Sequence, residues 1–153
     1  MKLRGTKGWL IIMAAVAATA PAYANDNMTG PVQAEVLGIL DGDTIKARAH
    51  MWLDQSVDVS VRIRGIDAPE LREPRCDHEK ELAEEAKQEV ISLINGEAIT
   101  LYNIGHDKYS GRVVAQVLTS NNVDIGKYLV KRGYAKPWEG QGKKPEWCDP
   151  ANP

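Results

Sequence analysis

The sequence predicts a mainly β domain with helices (α+β): a five-stranded barrel of the OB type, with one long helix after the third strand and a short second helix. Three observations carry that prediction. From Val57 to Arg64 the residues alternate, Val57, Val59, Val61 and Ile63 against Asp58, Ser60, Arg62 and Arg64, the period-two pattern of a strand buried on one face. From Glu79 to Asn95 the apolar residues Leu82, Ala86, Val90, Leu93 and Ile94 fall at helical spacing. Short apolar runs bounded by turn residues stand on both sides of that segment, and five short strands with one long helix suit a small barrel that closes or half closes on itself.

Taken in order, 25–31 is a polar lead-in and Val32 to Leu40 is apolar enough for a first strand. Asp41-Gly42-Asp43 is a turn signal, so Thr44 to Ala49 can return as the second arm of a hairpin. The alternating third strand places Arg62 and Arg64 together on the face opposite the valines. In Asp67-Ala68-Pro69-Glu70 the proline bars a helix from starting earlier. The long helix should stop at Gly96, a residue suited to a C-terminal cap. Ala98 to Tyr102 and Arg112 to Leu118 read as the last two strands, flanking a polar segment with two glycines. Val123 to Arg132, with Ile125 and Leu129 apolar and Gly133 after it, reads as the short helix. The domain is expected over 32–138, and 139–153, rich in Pro, Gly and Trp, as an irregular tail tied down through Cys148. Phe is absent, so core volume must come from Val, Ile and Leu.

A chain of 153 residues with 43% hydrophobic and 26% charged side chains fits one globular domain and excludes a disordered tail or a repeat array. Residues 1–24 read as a secretory signal: Lys2, Arg4 and Lys7, then the apolar run Trp9 to Ala20, then Ala22-Tyr23-Ala24 as a small-x-small cleavage pattern. That run is too short for a membrane anchor, which needs ~20 apolar residues. The expected product is exported, periplasmic or secreted, and free of the membrane once the signal is removed. The leader holds three of the 19 Lys and Arg and none of the 21 Asp and Glu, so the remainder has 16 basic and 21 acidic side chains, a net of −5. A uniformly basic nucleic-acid coat is thereby excluded, and an anionic ligand needs a local positive cluster.

Cys76 and Cys148 lack zinc-site or CxxC spacing. In an oxidising compartment the simplest reading of an even pair is a disulfide, worth roughly 4 kcal/mol for so long a loop; the alternative is two buried thiols. His50, His78 and His106 are scattered without ligand spacing and read as surface groups.

Three clusters carry chemistry: Asp41-Gly42-Asp43-Thr44, the run RIRGIDAPE from Arg62 to Glu70, and DKYSGR from Asp107 to Arg112. Each alone is an ordinary turn, strand face or loop. Together they supply what metal-assisted phosphodiester hydrolysis needs. Asp43 and Asp67 can bind a hard cation, and Glu70 can take a proton from an attacking water. Arg62 and Arg112 can grip a phosphate through paired N–H donors and stabilise its growing charge.

DGDT, R-x-x-x-x-D-x-P-E and DKY-GR in this order resemble the staphylococcal nuclease-like (thermonuclease) family of secreted, calcium-dependent nucleases, over roughly Val36 to Trp138. The helix after the second motif and Leu129 to Lys136 are also similar. The resemblance implies an OB barrel, Ca²⁺ as cofactor, and cleavage of DNA and RNA at the 5′ P–O bond with little sequence preference, leaving 3′-phosphates. It implies Asp43 and Asp67 as calcium carboxylates, Ala68 as a ligand through its carbonyl, and Asp41 as an acid just outside the metal's ligands. Glu70 corresponds to the general base, and Arg62 and Arg112 to the phosphate-gripping pair. Ser110 is an extra residue against DKYGR, so the backbone before Arg112 must bulge.

Tyr109 with Lys108, and Tyr134, are candidate substrate contacts. A base stacked on an aromatic ring contributes ~1–3 kcal/mol. Trp138 is a further possibility for stacking. The expected substrates are DNA and RNA, single-stranded by preference, and the chain is read as a monomer. The competing reading is a catalytically weak OB module that binds nucleic acid or another anion; a third is a structural domain that keeps the fold without the reaction. Three acids beside two arginines argue against both, since a pure binder of polyanions gains nothing from carboxylates.

Overall fold

The computed structural model describes residues 27–148. The predicted leader, its cleavage site and the last five residues of the tail lie outside the described residues. Five strands, β1 (Val32–Asp41), β2 (Thr44–Trp52), β3 (Gln55–Ile63), β5 (Ile99–His106) and β6 (Arg112–Leu118), close a barrel in the order β1-β2-β3-β6-β5. Two-residue strands β4 (Ile66–Asp67) and β7 (Lys136–Pro137) form a separate ribbon. Helix α1 (Asp77–Ile94) follows β4 and packs on β1, and α2 (Ile125–Arg132) follows β6 and packs on it. The predicted OB-type α+β architecture is the one observed.

The interior of the barrel is filled by small and branched residues. Ala34, Ile45, Ala47, Val61, Ile99, Ala115 and Val117 are completely buried. The alternation predicted for β3 holds at its second half, with Val61 and Ile63 inside, while Val57 at the hairpin end is exposed. The parallel β3–β6 pairing sets Arg62 beside Val114 and Ser60 beside Arg112, so both site arginines arise from adjacent strands. That register is what joins two motifs fifty residues apart in the chain.

Several boundaries differ from the sequence expectation. β2 runs on to Trp52, and the hairpin turns at Asp54 with φ 58, because the β2–β3 pairing continues beyond the core into solvent, where the consecutive apolar Met51, Trp52 and Leu53 are exposed and show no inside–outside alternation. β5 likewise continues past Tyr102 to His106 through an irregularity at Asn103, whose φ is 49. The buried stripe of α1 is Glu79, Ala83, Ala86, Val90 and Ile94; Leu82 and Leu93 lie beside it, half-buried. The helix ends on Asn95 rather than Gly96: Asn95 is left-handed, with φ 50, and its N–H donates to Ile91 O at 2.9 Å. Asparagine tolerates that conformation well enough to act as the cap.

Cys76 caps the N-terminus of α1, its sulfur accepting from Glu79 N–H at 3.4 Å, and is bonded to Cys148. The disulfide expected from the cysteine pair is thus present. No helix among the described residues is long and apolar enough to cross a membrane.

Candidate active site

Gly42 sets the first motif in place. A Cβ there would lie 2.8 Å from Ala86 Cβ and 2.9 Å from Ala68 Cβ, so the Asp41–Asp43 turn can press against α1 and the Asp67–Glu70 loop only with glycine at its centre. Asp43 is then buried, and its Oδ2 accepts the Ala68 N–H at 2.9 Å. Oδ1 accepts the Thr44 hydroxyl at 2.9 Å and Arg62 Nη1 at 2.5 Å. Arg62 continues across to Asp67, with Nη2 3.2 Å from Asp67 Oδ1 and 3.2 Å from Ile66 O. The two predicted metal carboxylates are therefore brought together and bridged by one of the predicted phosphate-gripping arginines. Ala68 takes part through its N–H.

The charges of this group are interdependent. Burial disfavours the Arg62 cation, yet Asp43 and Asp67 outweigh it, so the guanidinium is held above its ordinary pKa. Asp41, whose Oδ1 accepts Asp43 N–H at 3.1 Å, is pushed up to about 7 by burial and by the neighbouring Asp43 charge.

A cleft of about 480 Å³ opens beside this pair, lined by Asp41, Arg62, Glu70, Asp107 and Arg112 among others. Glu70 is half-buried; its Oε1 accepts Arg72 N–H at 3.2 Å, and its own N–H donates to Glu79 Oε1 at 3.3 Å. Ser110 is absorbed in a turn: Arg112 N–H reaches Tyr109 O at 3.3 Å, with Gly111 supplying a φ of 75. The extra residue bulges without carrying Arg112 out of the cleft. Arg112 is gripped by Asp107 at 3.0 and 3.2 Å and stacks 4.5 Å from the Tyr109 ring centroid. Burial acts against the Asp107 anion, but the Arg112 and backbone hydrogen bonds together hold its pKa below the usual value. Lys108 and the exposed Tyr109 complete this rim. Tyr134 is elsewhere, packed against the barrel core.

Several residues of the site escaped the sequence reading. Lys144 Nζ lies 3.0 Å from Asp67 Oδ1. Trp147 donates its indole N–H to Asp67 Oδ2 at 3.1 Å. Glu79, buried in α1, holds the Arg75 N–H at 2.8 Å as well as that of Glu70, and so ties down the loop between them. Trp138, named from the sequence as a stacking candidate, has its ring 5.6 Å from both Arg62 and Lys144. Trp147 had a signal: bonding Cys148 to Cys76 brings the residue next to it close to the Asp67–Glu70 loop. His106 also lines the cleft.

Residues 60–147 match the family of staphylococcal nuclease homologues. The chain belongs to that family. The match begins just before Arg62 and includes Asp67, Glu70 and Arg112, while the Asp41–Thr44 turn precedes it and is joined to it by the Arg62–Asp43 bond. Similar family members include the probable staphylococcal-like nucleases CAN2 and CAN3 of Oryza sativa subsp. japonica. Each is 32% identical over 88 residues, which is 58% of this chain but 22% and 21% of those proteins. An uncharacterized endonuclease of Escherichia coli is 28% identical over 114 residues, 74% of this chain and 66% of that protein. The chain therefore spans about a fifth of the length of the rice relatives.

The donor set suits a hard cation. Asp43 Oδ1 and Asp67 Oδ1 are carboxylate oxygens already facing positive charge, from Arg62 and Lys144. Among the described residues no group of three or more His, Cys, Asp or Glu side chains converges as a metal cage. Two carboxylates leave the remaining positions of an oxygen-seeking ion to backbone carbonyls and water, which is an open site.

Proposed function

We propose that this chain is an exported, Ca²⁺-dependent nuclease that hydrolyses phosphodiester bonds of DNA and RNA with little sequence preference, single strands being favoured. The observation that carries this reading is the Arg62 bridge: one guanidinium joins two buried carboxylates at the wall of a cleft that Glu70 and Arg112 also line. A binding module would not bury two acids beside a polyanion's path.

Asp43 and Asp67, with the Ala68 carbonyl, would hold Ca²⁺, which would supply Lewis-acid polarisation of a phosphate oxygen and activate water. The chain's own groups do the rest. Arg62 uses three of its five N–H groups on Asp43, Asp67 and Ile66, which fixes its plane and leaves the others for phosphate. Arg112, held by two bonds to Asp107, presents its remaining donors from the adjacent strand. Charge growing on the phosphoryl oxygens as water attacks in line is met by these fixed donors. Glu70 takes the water's proton. The 5′ P–O bond breaks as the water's oxygen bonds to phosphorus, the leaving 5′ oxygen takes a proton from solvent, and the phosphate stays on the 3′ end.

Against the net charge of −5, the cleft gathers Arg62, Arg64, Lys108, Arg112 and Lys144 beside its acids Asp41, Glu70, Asp107 and Glu139. Tyr109, 55% exposed at its rim, is placed for a base to stack on, which favours unpaired strands.

The product ends test this reading. A 5′-labelled single-stranded oligonucleotide, DNA or RNA, should be shortened to fragments bearing 3′-phosphates. Labelled fragments ending in a 3′-hydroxyl would contradict the assigned bond. Retardation in a gel with no shortening would favour the binding module instead.

A further inference from the structure

Among the described residues the tail after β7 has no regular structure, yet its end is pinned from several directions. Cys148 is bonded to Cys76. Glu146 pairs with Arg75 at 3.1 Å, and Pro145 O accepts from the same arginine at 3.3 Å. Lys136 donates to Glu146 O and places its ammonium 4.2 Å from the Trp147 ring centroid. Within a mostly exposed segment Trp147 is 7% exposed, and its polar atom is spent on Asp67.

The two oxygens of Asp67 thus have different partners. Oδ2 accepts the Trp147 indole N–H, while Oδ1 faces the Arg62 and Lys144 cations. Asp43 is arranged in the same way, Oδ2 on the Ala68 N–H and Oδ1 toward Arg62. A neutral N–H donor fixes the rotation of a carboxylate without competing for the cation's place.

We propose that Trp147 is a positioning residue for Asp67: its indole N–H, held in place by the Cys76–Cys148 bond, turns Oδ1 toward the bound cation. This rests on the reading of Asp43 and Asp67 as the cation-binding pair. It makes cation affinity depend on the tail and on the oxidised state of the two cysteines. Outer partners of metal ligands typically contribute about 10–100-fold to metal affinity.

The test is Ca²⁺ titration by calorimetry on the full mature protein, with melting temperature in chelator measured alongside. Trp147→Phe removes the N–H and keeps an aromatic ring. 3-Benzothienylalanine at position 147 keeps the bicyclic shape and removes only the N–H, so it decides the matter should the Phe variant fold poorly. Both are expected to bind Ca²⁺ about 10-fold or more weakly. The benzothienyl form should melt as the wild type does in chelator and regain its turnover when Ca²⁺ is raised. Reduction of Cys76–Cys148 should weaken Ca²⁺ binding in the same direction. Affinity of the benzothienyl form within about twofold of wild type would overturn the positioning role while leaving the cation site intact. Absence of Ca²⁺ uptake by the wild type would instead remove the cation site itself, and this inference with it.

Discussion

Glu70→Gln is expected to lower turnover on denatured DNA by about 10²-fold or more, with little change in KM. The amide keeps the shape of the carboxylate and can still accept the Arg72 N–H, so the loop should hold. The tie to Glu79 runs through the Glu70 backbone and is untouched. What is lost is the capacity to take a proton, a deficit of roughly 2.7 kcal/mol in the barrier for a hundredfold drop. Steady-state kinetics beside a melting curve separates the two contributions. Turnover within threefold of wild type would remove Glu70 from the reaction.

Arg62→Met should be costly twice. It leaves Asp43 and Asp67 buried side by side without their shared cation, and removing one partner of a buried pair costs about 3–5 kcal/mol. Lys144 still faces Asp67 and solvent can adjust around it, which argues for the lower end. About 3 kcal/mol corresponds to a melting temperature lower by roughly 10 °C in chelator for a domain of this size. Ca²⁺ should restore more of that loss in the variant than it adds to the wild type, because it supplies the missing positive charge. Turnover should remain down by about 10²–10³-fold even in saturating Ca²⁺, since the phosphate-facing donors are gone. Calorimetric melting with and without Ca²⁺, together with rates on denatured DNA, checks both parts. An unchanged melting temperature in chelator would contradict the bridging role of Arg62, and an unchanged rate its grip on phosphate.

The parts of this molecule that were legible in the sequence are those governed by local patterns. β3 declares itself because Val61 and Ile63 must enter a closed core while Arg62 must not. Arg112–Leu118 is bounded by the turn that precedes it and by the end of its pairing, and its limits were readable residue by residue. Asp43, Asp67 and Glu70 stood out because they fall in short motifs whose turn and loop chemistry is local. What was not legible depends on contacts between distant segments. Asp67 and Trp147 are eighty residues apart, and no periodicity in the Pro- and Gly-rich tail pairs them; the cysteine pair alone signals that the tail returns, without saying that Trp147 reaches Asp67. Lys144 is similarly placed by the disulfide and the Lys136–Glu146 contact rather than by any pattern around it. Glu79 was hidden by the opposite problem. A glutamate in the first turn of a helix reads as a favourable charge near the dipole, whereas here its carboxylate is buried and holds the N–H groups of Arg75 and Glu70.

The central claim is that Asp43 and Asp67 hold a cation without which Arg62, Arg112 and Glu70 cannot hydrolyse nucleic acid. Digestion of denatured DNA and of RNA by the purified mature protein, in Ca²⁺ and in excess chelator, tests it most directly. Both substrates should be degraded in Ca²⁺ and left intact in chelator, with activity returning when Ca²⁺ is restored. Equal degradation in chelator would contradict the account.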